Sequence, residues 1–267
     1  MKLGVVLRNM GELSTAPILS RVAGAAEAAG LDGVWVTDHL AIPPGEAEGS
    51  NGRYLDPLAT LAYLAAATRR IHLGTAVLIA PYRPPLPVAK WVATIQELSG
   101  ERLELGVGVG WMAAEFRALG IERAHRGRDT DRFLELLHRC FAADEVTGNG
   151  QTFLFRPRPA RPPVLIGGRG THALDRTIRY GDGWLPVRAS PETLAGARRE
   201  LSERAEAAER ECPTIQVMTS LPVDDRAALE DEIARYREAG ASGLIHAGRA
   251  ADEAACLRAV SALAEVR

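Results

Sequence analysis

Short apolar runs alternate with amphipathic stretches along nearly the whole chain. The runs at 2–7, 34–37, 71–79, 103–110, 164–166, 183–187, 215–218 and 243–246 have strand length and continuous hydrophobicity, as strands buried on both faces do. Between them, apolar residues recur at helical spacing. Leu19, Val22, Ala26 and Ala29 share one face, Val88, Trp91, Ile95 and Leu98 another, and Phe133, Leu137, Cys140 and Phe141 a third. Punctuation agrees with this division. Ser14 or Thr15 precedes Pro17, Asp56 precedes Pro57 and Ser190 precedes Pro191, each a cap followed by a proline in the first helical turn. Gly30 and Gly100 stand where helices stop. Eight strand–helix pairs in sequence predict an α/β fold, a (β/α)8 TIM barrel. A doubly wound sheet would need a topological switch that this even alternation does not demand.

Two stretches interrupt the rhythm. Residues 40–55 carry Pro43, Pro44, Gly45, Gly49 and Gly52 and exceed a usual strand–helix connection, which predicts a lid or binding loop. Residues 144–163 hold Gly148-Asn-Gly150, a small hairpin around 152–155 and the run Arg156-Pro-Arg-Pro-Ala-Arg-Pro162. Strand–helix alternation resumes directly afterwards, so this is a short insertion before strand 5 within one domain spanning 1–267, not a boundary.

Composition narrows the classes. Hydrophobic residues make up 46% of the 267, enough for a continuous core. The 32 basic and 34 acidic residues balance, so neither nucleic acid nor an anionic membrane is an expected partner. No apolar run approaches the ~20 residues of a membrane span. Cys140, Cys212 and Cys256 are widely separated, odd in number and without metal-type spacing. They read as reduced thiols of a cytoplasmic protein, with no metal site expected.

Candidate chemistry gathers at the ends of strands, where parallel α/β folds bind ligands. Gly167-Gly-Arg-Gly170 before Thr171 can bring backbone N–H groups and a helix N-terminus against a phosphate, or can be a tight turn only. Gly106-Val-Gly-Val-Gly110 is not the dinucleotide fingerprint and indicates only close backbone packing, against a planar ring if one binds. Asp38-His39 can serve acid–base work, or cap a loop and fill space. His246 ends the last strand and has a similar, weaker case. No nucleophile elbow, P-loop or Cys–His arrangement is present.

The ordered set Trp35-Val-Thr-Asp-His39, Leu73-Gly-Thr-Ala-Val-Leu78 with Pro81 and Arg83, Leu98-Ser-Gly-Glu-Arg102, Leu105-Gly-Val-Gly-Val-Gly-Trp111 up to Glu115-Phe116, Val164-Leu-Ile-Gly-Gly-Arg-Gly170 and Asp182-Gly-Trp184 resembles the luciferase-like monooxygenase superfamily. The likeness is strongest to its branch of deazaflavin (coenzyme F420) dependent oxidoreductases. The resemblance implies a flavin or deazaflavin at the C-terminal barrel edge. Gly167, Gly168, Arg169, Gly170 and Thr171 would hold its phosphate. A non-prolyl cis peptide at Ala76-Val77, with Gly108, Val109 and Gly110, would back its ring. Asp38 and His39 would form the polar pair at the reactive edge, and Asn9, Trp111 and Trp184 would line the substrate pocket. In sugar-phosphate dehydrogenase members an acidic residue stands where this chain has Trp111, so their proton-transfer pair is incomplete here and an aromatic substrate wall is expected instead. Arg156, Arg158 and Arg161, with Arg169, would meet the acidic cofactor tail or form a surface linker.

The expected activity is F420-dependent hydride transfer to or from a small organic substrate. An FMN-dependent monooxygenase and a non-catalytic flavin-binding protein are the alternatives. The resemblance also implies a homodimer.

Overall fold

A computed structural model describes residues 1–267. In chain order its strands are β1 (Lys2–Val6), β2 (Gly33–Val36), β3 (His72–Ile79) and β4 (Leu103–Gly108), then a hairpin of β5 (Glu145–Gly148) and β6 (Gln151–Leu154). β7 (Val164–Gly167), β8 (Gly183–Leu185), β9 (Thr214–Thr219) and β10 (Gly243–His246) follow. All but the hairpin pair in parallel, and β10 returns to β1 to close the barrel. This is the expected TIM barrel, with the hairpin as the insertion before its fifth strand. The helices are α1 (Ala16–Ala28), α2 (Pro57–Ala67), α3 (Pro85–Ser99), α4 (Ala113–Ala118), α5 (Arg126–Ala142), α6 (Thr171–Tyr180), α7 (Pro191–Ala207), α8 (Arg226–Glu238) and α9 (Glu253–Glu265).

Local chemistry explains most helix starts. Asp56 accepts from the Ala59 amide at 3.0 Å with Pro57 in the first turn, and Ser190 does the same for Thr193 at 3.3 Å. Thr15 occupies the cap position of α1, but its hydroxyl makes no capping bond; Ser14 instead donates to the Gly11 carbonyl. In α3 the buried stripe is Val88, Ala89, Val92, Ala93, Ile95 and Gln96. Trp91 and Leu98 lie outside it, 48% and 69% exposed, so half of the face expected to be apolar points to solvent. The inward stripe uses small alanines that let the helix approach the barrel.

Two apolar layers result. The larger lies between strands and helices, from Leu3 and Val34 through Leu134 and Leu137 to Leu263. The smaller fills the barrel with Trp35, Ala76, Leu165, Leu185 and Ile245. A polar layer sits below it at the N-terminal end. There the buried Glu104 accepts from Lys2 at 2.7 Å and from Gln216 at 2.8 Å. Arg102 ties the same end together, donating to the Ala65 and Ile71 carbonyls and to the Thr68 hydroxyl, each at 2.8–2.9 Å.

Trp35 sets the lumen's geometry. A Cβ on Gly74 would overlap the Trp35 ring, so only glycine lets β3 pass it. Gly74→Ala is expected to cost about 3 kcal/mol. That corresponds to roughly a 10 °C fall in Tm, readable by scanning calorimetry.

The basic run of the insertion lies away from the glycine loop. Arg156 and Arg158 both pair with Asp144, at 2.7 and 2.8 Å. Arg161 makes a two-pronged pair with Asp182, whose carboxylate also accepts from the amide of Val164 at the opposite, N-terminal end of β7. These guanidiniums are held in ion pairs within the fold, which favours the surface-linker alternative.

Candidate active site

The end of β2 delivers Asp38 and His39 to the C-terminal barrel rim, and the two side chains part company there. Asp38 is buried and fully engaged. Its Oδ2 accepts from the Ile79 amide at 2.9 Å and from Arg83 at 2.7 Å, and its Oδ1 accepts from Arg83 at 2.9 Å. Arg83 reaches on to Asp56 at 2.8 Å. With its oxygens taken by these donors, Asp38 fastens the end of β2 to the end of β3. These are the contacts of the loop-capping alternative.

His39 has a different partner. Its Nδ1 lies 2.9 Å from Oε2 of Glu115, which is wholly buried at the start of α4. Oε1 of Glu115 accepts from the amides of Leu40 at 2.6 Å and Ala41 at 3.0 Å, and Tyr82 donates to Oε2 at 2.9 Å. Burial would raise this carboxyl, but the Ala41 and Leu40 amides together with His39 outweigh it and hold it below the usual carboxylate range. Burial, followed by Glu115, pushes the Tyr82 phenol up, so it stays a donor. A carboxylate only accepts, so Nδ1 of His39 donates and Nε2 is left for chemistry. Nothing in the protein bonds Nε2.

The aromatic residues Tyr54 and Trp111 stand edge-on to the His39 ring, with centroids 5.0 and 6.3 Å away. Trp111 is 63% exposed, at the mouth. Glu115, one helical turn beyond Trp111, is the carboxylate that His39 bonds. In the sequence Glu115 stands only at the end of the motif that runs on from Trp111, with no role of its own. The readable signal was Met112, Glu115 and Phe116 at inward helical spacing, an acid on an apolar stripe.

Beside His39, the peptide Ala76–Val77 is cis, as expected, and the pairing of β3 with β4 shifts register between Thr75 and Leu78. The Val77 side chain lies between Gly108 of β4 and Gly167 of β7, and a Cβ on either glycine would collide with it. The glycines thereby allow a flat shelf across the ends of three strands. Gly110 turns the chain away from it, and Val109 is half-buried alongside.

The glycine loop beyond β7 leads into α6. Gly168 takes a φ of +117° that favours glycine, and Gly170 occupies the cap position without a side-chain capping bond. Thr171 is the first helical residue, and its hydroxyl has no partner in the protein. The loop can accept a phosphate on backbone amides and the helix dipole. Arg169 is tied to the Val187 carbonyl and is exposed.

Two expected pocket residues make structural hydrogen bonds. Asn9 is fully buried, donates to the Thr37 and Leu55 carbonyls and accepts from Thr37, so it braces the loop that carries His39. Trp184 is buried and donates through Nε1 to the Gly168 carbonyl at 3.0 Å, holding the glycine loop from behind.

A profile of the luciferase-like monooxygenase family matches residues 1–264. The chain belongs to that family. It is 31% identical over 225 residues to an F420-dependent glucose-6-phosphate dehydrogenase of Amycolatopsis mediterranei, covering 77% of this chain and 66% of the relative. Two solved structures share the fold. An F420-dependent secondary alcohol dehydrogenase in complex with an F420–acetone adduct superposes with a TM-score of 0.82 at 18% identity, covering 100% of this chain and 98% of that one. A type II Baeyer–Villiger monooxygenase of Pseudomonas putida in complex with FMN superposes with a TM-score of 0.80 at 13% identity, covering 99% and 97%.

Proposed function

We propose that this protein is an F420-dependent oxidoreductase that moves a hydride between the cofactor and a small organic substrate. The observation that carries this reading is His39, fixed by Glu115 with Nε2 free, beside a shelf and an uncapped helix N-terminus that fit a ring and its phosphate. The backbone of Gly167, Gly168 and Gly170 and the Thr171 hydroxyl would hold the phosphate, and Ala76, Val77, Gly108, Val109 and Gly110 would back the ring. A bound deazaflavin supplies the ring carbon that accepts or donates hydride.

The chain's own residues do the rest. For an alcohol substrate, Nε2 of His39 takes the hydroxyl proton as the C–H bond gives up its hydride, and it returns that proton in the reductive direction. Glu115 holds the Nδ1–H and stabilises the imidazolium formed on protonation. Tyr82 and the Leu40 and Ala41 amides keep Glu115 in place. Tyr54 and Trp111 form aromatic walls that restrict water around Nε2.

Calorimetric titration of apoprotein with F420 and with FMN tests the cofactor. F420 is expected to bind at least about tenfold more tightly, a difference of 1.4 kcal/mol. Tighter FMN binding would transfer the protein to the monooxygenase reading, and binding of neither would end both.

We also infer a homodimer formed through α2 and α3, supported by Tyr63, Leu86, Trp91 and Leu98 being exposed on those helices. Trp91→Glu is expected to convert the dimer to a monomer in sedimentation analysis, whereas a wild-type monomer would remove the proposal. Three free thiols suit the reducing cytoplasm, where we place the protein.

A further inference from the structure

Arg8 follows β1 on the rim next to β2 and has no ion-pair or hydrogen-bond partner; its Nε is buried without an acceptor. A buried, unpartnered guanidinium nitrogen is costly, and a bound anion relieves that cost. Arg8 lines a cavity of about 110 Å³ where β1 and β10 meet beneath α1 and α9. The walls are otherwise mainly aliphatic, including Leu19 and Val22 of α1 and Ala255, Cys256 and Ala259 of α9.

A second donor faces the same space. Nδ1 of His246 accepts from the Leu221 amide at 3.1 Å, so Nε2 of the neutral ring carries the proton. Burial lowers the pKa of this imidazole and outweighs Asp224, which raises it, so the neutral form is favoured. Asp224 is the one carboxylate lining the cavity, and it is exposed, as are Arg249 and Arg258. Buried donors without buried acceptors select an anion, and the aliphatic walls select an apolar body behind it.

We propose that this cavity binds a short-chain carboxylate, its head on the Arg8 guanidinium and the His246 Nε2–H and its alkyl group among Leu19, Val22 and Cys256. An apolar cavity of ~150 Å³ takes a six-carbon, benzene-sized guest, so this one, at about three quarters of that volume, suits an alkyl body of about four to five carbons. Neither cofactor nor turnover enters its test, so its failure would leave the hydride-transfer reading standing.

Isothermal calorimetry on the wild-type chain with hexanoate, hexan-1-ol and inorganic phosphate provides that test. Hexanoate is expected to bind, with the alcohol and phosphate each at least about tenfold weaker. Arg8→Gln is expected to weaken hexanoate by about tenfold or more, and Arg8→Lys by less. Cys256→Leu, which fills the cavity and leaves Arg8 intact, should abolish binding even if Arg8→Gln fails to fold. Equal binding of hexanoate and hexanol, equal binding of hexanoate and phosphate, unchanged binding in folded Arg8→Gln or in Cys256→Leu, or no hexanoate binding to the wild type would overturn the proposal.

Discussion

Glu115→Ala is expected to be the most damaging single change in the site. It removes the common acceptor of His39, Tyr82 and the Leu40 and Ala41 amides and leaves a cavity among Ile79, Tyr82 and Phe116. Unsatisfied buried donors cost about 1–3 kcal/mol each before water or relaxation helps, so a net loss of about 3 kcal/mol is expected in denaturant unfolding. Turnover should fall by about 10²-fold or more even in folded protein, because His39 loses the partner that fixes its Nδ1 proton. Glu115→Gln keeps an acceptor and the shape, so it should recover most of the stability and only part of the turnover. Equal turnover in both variants would show that the charge on Glu115 is irrelevant.

The same carboxylate gives acid sensitivity a sign. Its native pKa is depressed, so its contribution to stability is complete above the ordinary carboxylate range, about pH 4.3, and is lost as pH falls through the lowered native value. Asp182, where burial is outweighed by Arg161 and the Val164 amide, acts in the same direction. The wild type should lose more stability than Glu115→Gln on acidification across that window, as measured by urea unfolding at a series of pH values.

His39→Ala is the second large effect. Loss of a general acid–base typically removes 10²–10⁴-fold from the rate, and kcat should carry nearly all of it. The fold should hardly notice, since this side chain is partly exposed and Glu115 keeps three other donors. Cofactor affinity should also persist, because the shelf and glycine loop are untouched. Unchanged turnover of an identified substrate would remove His39 from the chemistry and leave it a wall residue.

Much of the candidate site was legible because its signals are local. The glycines at the ends of β4 and β7, the dipeptide after β2 and the helix opening at Thr171 are all marked within a few residues. Where the reading failed, a distant partner decided. Asp38 looks reactive from its neighbours, and Arg83, 45 residues away, takes both its oxygens. Asn9 follows β1 and Trp184 lies in β8, and a loop and a carbonyl claim their polar groups.

Sequence by itself determined the barrel. Burial of each strand on both faces, helical spacing in between, and caps with first-turn prolines are short-range effects that each segment carries alone. Tertiary structure alone decided which polar groups neutralise one another. Glu115 meets His39 across 76 residues only because pairing of β2 with β3 and of β3 with β4 brings the end of β2 to the first turn of α4. Folding of the insertion on itself pairs Arg156 and Arg158 with Asp144, the β7–β8 neighbourhood pairs Arg161 with Asp182, and packing leaves Arg8 without an acceptor. Hydrogen-bond partners are chosen by distances of a few ångströms, which the packed barrel sets and residue spacing along the chain does not.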